Sequence, residues 1–412
     1  MEGMIIGGQA YFALLLGASP EAVKVPLALL LVFGAAKLLG EVFERLGQPG
    51  MVGEILAGVL LGPGVLGWVA PDGLLSTLAE LGAMFLLFRV GLEVKASDLM
   101  RVSGTATLAA TLGVLAPFLL GWLILRQWGA GHAEAIFVGA AMVATSVGIT
   151  ARVLAAKGLL EERASRVILA AAVIDDVLGL LVLALVSSLA KGTVNVYELG
   201  LTALLATGFT VLVAAWGAPA ARRVLPWVRR WTRGEEAQFS FAVITLFALA
   251  VLAVWVGVAA IVGAFLAGMA LAESADQRVR DLAHGATELL VPFFLAGVGL
   301  HFVPSALARP GTLALALAIL LAAVVSKLIG CGAGALSLGR RDALRVGLGM
   351  VPRGEVGMVV AQTGLSLSIV TPPVYGVVVF MAVASTVVAP WLVNWGFRQS
   401  PAPASELLLA TG

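Results

Sequence analysis

The chain has 412 residues, 60% of them hydrophobic and 12% charged, with a formal net charge of +2. A soluble chain of this size carries about a quarter charged residues, so the composition excludes a surface wetted on all sides, and short, scattered basic segments exclude a nucleic-acid partner. The single cysteine, Cys331, excludes an internal disulfide, and its place in an apolar run makes it a packing residue.

Residues 4–16 are apolar but lack a basic leader and a cleavage site, which argues against a removable signal peptide. The segment reads as interfacial or as an extension of the first span. Beyond it, apolar runs of roughly 20 to 28 residues recur, each able to cross a hydrocarbon layer about 30 Å thick at about 1.5 Å per residue. The reading is therefore an all-α polytopic membrane protein, the alternating short segments of a β-barrel being absent. Thirteen transmembrane helices are expected, at about 22–44, 51–66, 74–93, 98–125, 134–156, 165–190, 197–219, 237–257, 258–273, 284–302, 311–338, 343–365 and 371–397. His132, His284 and His301 lie near run ends without metal-ligand spacing.

The alternation can be tested by charge. With the N-terminus outside and the C-terminus cytoplasmic, the cytoplasmic loops hold 17 basic residues and the outer ones only Lys24, Arg126, Lys191 and Arg309. That is a strong positive-inside bias.

A duplication is also legible. Val52-Gly53-Glu54-Ile55-Leu56-Ala57-Gly58 returns as Val262-Gly263-Ala264-Phe265-Leu266-Ala267-Gly268, five matches in seven at an offset of 210. Val90-Gly91-Leu92 returns as Val298-Gly299-Leu300 at 208, and Gly158-Leu159 as Gly364-Leu365 at 206. Spans 1–6 then match spans 8–13, with the seventh as a linker helix. Because equivalent spans are seven crossings apart, the two six-helix repeats are inverted, a plan of secondary transporters whose substrate sites lie near the bilayer midplane.

Five charged residues lie inside these spans: Asp175 and Asp176 in the sixth, Lys327 in the eleventh, Arg353 and Glu355 in the twelfth. Each Asp or Lys at a helix centre costs roughly 2.5 to 3.5 kcal/mol on insertion scales, so they must pair or line water. Asp175 is nine residues past Arg166 and Glu355 ten past Arg345, which sets both about 15 Å deep. Thr145 and Ser146 reach a similar depth. Span 5 reads Ala144-Thr145-Ser146-Val147-Gly148 and span 12 Val351-Pro352-Arg353-Gly354-Glu355, residue types that weaken a helix interior and re-bond freed backbone groups. Two discontinuous helices, about 134–156 and 343–365, are expected to cross at the site.

A carboxylate accepts either a proton or a hard cation such as sodium, so the two compete for one place. Neighbouring residues on a helix point about 100° apart, so one aspartate can face Lys327 while the other faces the ion path. The same divergence argues against the main enzyme alternative, an intramembrane aspartic protease, and the chain is not expected to be an enzyme. Arg353 and Glu355 either pair with each other, cap the broken helix ends or approach the cation.

Leu46-Gly47-Gln48-Pro49 running into Gly53-Glu54-Ile55-Leu56-Ala57-Gly58, the pair Asp175-Asp176, Lys327, and Arg353-Gly354-Glu355 carry a family likeness. Over nearly its whole length the chain resembles the monovalent cation/proton antiporters. The resemblance implies a homodimer in the bacterial inner membrane that exchanges Na+ or Li+ for protons electrogenically, without a cofactor. It further implies a dimerisation domain (22–93 and 237–302) and an ion-transport core (98–190 and 311–397) that moves as an elevator, joined by the linker 197–219. Asp176 would be the principal cation ligand, assisted by Asp175, Thr145 and Ser146, and Asp175 would form a salt bridge with Lys327. The alternatives are a K+/H+ antiporter or a gated cation channel of the potassium-efflux type. Those relatives usually carry a long cytosolic nucleotide-binding domain, whereas residues 398–412 here read as a disordered tail.

Overall fold

The computed structural model describes residues 20–190, 196–231 and 237–398. The segment 4–16, Lys191, Arg233, residues 399–412 and the side chain of Glu355 lie outside the described residues. Among the described residues every regular element is helical, with sixteen α-helices and two short 3-10 turns. Eight helices are long and apolar enough to cross a membrane, and four shorter ones are comparably apolar.

The elements follow the apolar runs, with instructive differences. Helix α1 is Pro20–Arg45, α2 is Gly50–Leu61 and α3 is Gly73–Glu93. Helix α2 is shorter than its run because Gly62-Pro63-Gly64 stops it. The fourth run splits into a single short turn, α4 (Ala96–Arg101), and α5 (Ser103–Gln127). The fifth is two half-helices, α6 (His132–Ala141) and α7 (Val147–Ala156), followed by α8 (Arg163–Ala190). Helix α9 runs over Val196–Trp231, well past the expected end at 219. The segment after Pro219 is rich in Ala and Arg, both good helix formers, and continues the helix despite its charge.

Helices α10 (Ala237–Trp255), α11 (Ala260–Leu271), α12 (Gln277–Leu300) and α13 (Pro310–Gly334) follow. The twelfth run is again two halves, α14 (Arg340–Gly349) and α15 (Glu355–Ser366), and α16 (Pro372–Phe397) is last. Cys331 is a free, buried thiol against Gly113.

The backbone divides into two compact units, Met1–Gly82 with Leu289–Ser305, and Ala83–Glu288 with Ala306–Gly412. The first buries Val32, Leu61, Leu75, Phe293 and Leu300 together, and Lys37 approaches the buried Glu54 at 3.8 Å. The second has an apolar cluster where α5, α6, α13, α15 and α16 meet, around Leu125, Phe137, Met142, Ile319, Val360 and Val377.

Close helix crossings recur at the offsets read from the sequence. Within the first unit, Gly58 of α2 lies against the backbone of Ala296 in α12, and Gly299 against Ile55. Within the second, Gly268 of α11 lies against the backbone of Phe88 in α3, and Gly91 against Phe265. Positions 58 and 268, and 55 and 265, differ by 210; positions 88 and 296, and 91 and 299, differ by 208. The same holds for Gly139 against Phe118 and Gly347 against Leu328.

A side chain at such a crossing would strike a carbonyl that cannot yield without moving a helix. Gly268→Ala is therefore expected to cost roughly 1 to 3 kcal/mol, read as a lower melting midpoint in detergent. Gly285→Ala, where a methyl meets open space, should hold or raise the midpoint, because alanine outranks glycine in a helix by about 1 kcal/mol. Equal responses at the two positions would refute the close-crossing account.

Candidate functional site

The charged side chains gather where the two helix breaks meet, within the second unit. Residues 142–146 leave the helical path between α6 and α7, and residues 350–354 leave it between α14 and α15. Pro352 offers no N–H and biases its predecessor away from the helix, while Ser146 takes the N-cap position of α7 that favours such a residue.

A break frees backbone groups that must be satisfied when buried. The Ser146 N–H donates to Pro352 O at 2.8 Å, so the breaks bond each other directly. Thr150 Oγ1 donates to Gly349 O at 2.6 Å, the last carbonyl of α14. Gly354 has no room for a Cβ, which would stand 2.7 Å from that of Ser146.

Arg353 does the rest of this work. Its side chain is wholly buried, and Nη1 donates to the carbonyls of Val143 at 3.2 Å and Ala144 at 3.4 Å, while Nη2 donates to Ala323 O at 3.1 Å. Its bonds reach the 142–146 break and the interior of α13. A cation just beyond the C-terminal end of α6 also offsets the partial negative charge of that end. The side chain of Glu355 lies outside the described residues, so its role is not assigned by this geometry.

Asp175 and Lys327 face each other from α8 and α13. Lys327 Nζ lies 2.8 Å from Asp175 Oδ1, and both side chains have 0% exposure. Asp175 Oδ2 has no hydrogen-bond partner among the described residues, which leaves an acceptor site beside the ammonium.

Asp176 points elsewhere. It is 6% exposed and is the one charged residue lining a narrow crevice otherwise made of Leu87, Val147, Leu169, Val173, Ile261, Val262 and Phe265. Val147 is the first residue of α7, so the carboxylate shares the crevice with a helix N-terminus, the end that favours an anion. Leu169 and Val173 lie two turns and one turn toward the N-terminal end of α8. Thr145 is buried one residue before Ser146, and its Oγ1 has no hydrogen-bond partner among the described residues.

Other charges sit outside this centre. Arg89 pairs with Glu93 at 3.9 Å. Arg280 donates to Leu92 O and Ala272 O at 2.6 Å each, tying the ends of α3 and α11. Glu134 accepts from the Thr371 N–H at 2.9 Å and Oγ1 at 2.8 Å, anchoring the start of α16. Ser385 and Thr386, which bond the Arg353 backbone, were not legible as site residues; adjacent hydroxyls in an apolar run are the only trace they leave.

Described residues whose regular elements are all helical, eight helices of membrane length among them, and a desolvated carboxylate pair beside two bonded helix breaks define a multi-pass membrane protein of the transporter class. The profile of the family described as "Sodium/hydrogen exchanger, transmembrane" matches residues 27–398. The chain is 32% identical to the Na(+)/H(+)-K(+) antiporter GerN of Bacillus cereus, over 89% of this chain and 95% of GerN. It is 34% identical to the high-affinity Na(+)/H(+) antiporter NhaS3 of Synechocystis sp., over 92% of each. The fold is similar to that of the sodium proton antiporter MjNhaP1 from Methanocaldococcus jannaschii, with a TM-score of 0.65 and 17% identity over 91% of this chain and 97% of that one. The chain belongs to the sodium/hydrogen exchanger family.

Proposed function

We propose that this chain is an electrogenic antiporter of the inner membrane that exchanges Na+ or Li+ for protons, with cation and protons competing at Asp175 and Asp176. The observation that carries the reading is the division of labour within the pair. Asp175 is held by Lys327 at 2.8 Å in a fully buried ion pair, whereas Asp176 lines a crevice. Sodium entering that crevice meets one carboxylate, with Thr145 and Ser146 on the neighbouring break as further oxygen ligands. A proton reaching Asp175 removes the charge that Lys327 binds, so protonation and pairing exclude each other. Carrier movement confined to the neutralised site couples the two fluxes without covalent chemistry.

The finer architecture belongs to the same proposal. Thirteen spans in two inverted repeats are supported by the collinear echoes and by equivalent close crossings at the same offsets. The basic-residue bias supports an outside N-terminus and a cytoplasmic C-terminus. A homodimer, with the dimerisation domain fixed and the core moving as an elevator, follows from the family resemblance.

Proteoliposomes test the proposal. An imposed sodium gradient should drive protons the opposite way and generate a membrane potential, followed with pH- and potential-sensitive dyes. Cation flux without proton movement would instead identify a channel. Potassium is the second cation to examine, because GerN is named for both ions; proton movement driven by potassium alone would move the reading to a K+/H+ antiporter.

A further inference from the structure

The break at 350–354 is gripped from α16, on residues that neither aspartate reaches for. Ser385 and Thr386 are both fully buried at 0% exposure. The Arg353 N–H donates to Ser385 Oγ at 3.1 Å, and Thr386 Oγ1 donates to the Arg353 carbonyl at 2.6 Å. Two adjacent hydroxyls thus satisfy both backbone groups of one residue. This is not the default use of a helical hydroxyl, which returns to a carbonyl one turn back, as Thr107, Thr111 and Thr245 do here. Ser385 does both, also donating to Ala382 O at 3.1 Å.

The grip is passed on. The Arg353 guanidinium, whose Nε has no hydrogen-bond partner among the described residues, is oriented by its backbone anchor and its two terminal nitrogens. Nη1 holds the carbonyls of Val143 and Ala144, and Nη2 that of Ala323. The residue after Ala144 is Thr145, whose buried Oγ1 has no hydrogen-bond partner among the described residues. A continuous series of bonds therefore leads from α16 to the turn that carries Thr145.

We infer that Ser385 and Thr386 are positioning residues for sodium. By fixing the Arg353 peptide they set the placement of the 143–146 turn, and with it cation affinity, without touching the ion. The inference rests on the exchange reading above. Cation binding depends on several oxygens at once, whereas proton binding depends on one carboxylate, so loosening the grip should weaken the first and spare the second.

Thr386→Val keeps the shape and removes the donor. In proteoliposomes it should raise the apparent KM for sodium about five- to tenfold, in line with the loss of one buried hydrogen bond, with Vmax within about twofold. At a fixed sodium concentration far above the KM of both proteins, the acid limb of the activity profile should shift to higher pH by roughly 0.7 to 1 unit, the logarithm of that affinity loss when one proton competes. Thr386→Ser should restore both. An unchanged KM in folded Thr386→Val overturns the inference, as does a fall in Vmax and melting midpoint together at constant KM. If Thr386→Val does not fold, Ser385→Ala carries the KM comparison with the same two outcomes. If the wild type shows no sodium-coupled proton flux, the exchange reading itself fails. Sodium-induced thermal stabilisation then reads the grip: a smaller rise in Thr386→Val supports it, and an equal rise overturns it.

Discussion

Asp176→Asn should reduce sodium-driven proton movement to that of vesicles without protein, while the protein remains folded. The amide matches the carboxylate in shape but carries no charge and takes up no proton in the working range, so it removes both competitors at once. Folding should not suffer. Asp176 is a nearly buried carboxylate in a crevice whose other lining side chains are apolar, and an amide of the same shape fills the same place. The melting midpoint without sodium should stay close to that of the wild type. With sodium, the wild type should be stabilised by binding, by about 2.7 kcal/mol at a hundred times the dissociation constant, and Asp176→Asn should lose that response. Wild-type exchange in the variant would sink the site assignment. Lost exchange with the sodium response intact would move the cation to another set of oxygens and leave Asp176 with the proton alone.

The sequence announces this centre because charge in a membrane is conspicuous. Asp175, Asp176, Lys327 and Arg353 stand out against apolar runs, and Lys327, thirteen residues before Arg340 and so about 20 Å along its helix, falls near the midplane with Asp175, where they meet at 2.8 Å. The breaks are legible for a related reason, since Pro352, Gly354 and Ser146 are each poor continuations of a helix. Direction is less legible. That Arg353 turns to the carbonyls of Val143, Ala144 and Ala323 depends on which neighbour offers unpaired acceptors, a tertiary fact with no sequence period. Helix ends outside the apolar runs are also hard to read, as in α9, where arginines taken for a loop extend the helix to Trp231. Ser385 and Thr386 are the extreme case, because a hydroxyl in a helix has a local partner available and nothing in the chain shows that it bonds a distant peptide instead.

The ion pair itself makes a sharper demand on stability than on transport. Lys327→Met removes the ammonium and leaves the Asp175 carboxylate at 0% exposure with neither oxygen bonded by a described partner. Breaking a buried pair from one side costs about 3 to 5 kcal/mol. Asp175→Leu strands the ammonium in the same way. Combining Lys327→Met with Asp175→Leu removes both charges and fills the space with apolar groups, and such replacements are often neutral or stabilising. The double variant should therefore melt above either single variant, with a coupling of a few kcal/mol in a mutant cycle. Its exchange should nevertheless be absent, because the alternation between a protonated Asp175 and a paired one is gone. Stability and transport thus separate in one protein. A double variant as unstable as the sum of the singles would mean that the 2.8 Å contact carries no coupling, and that protonation of Asp175 has no bond to break.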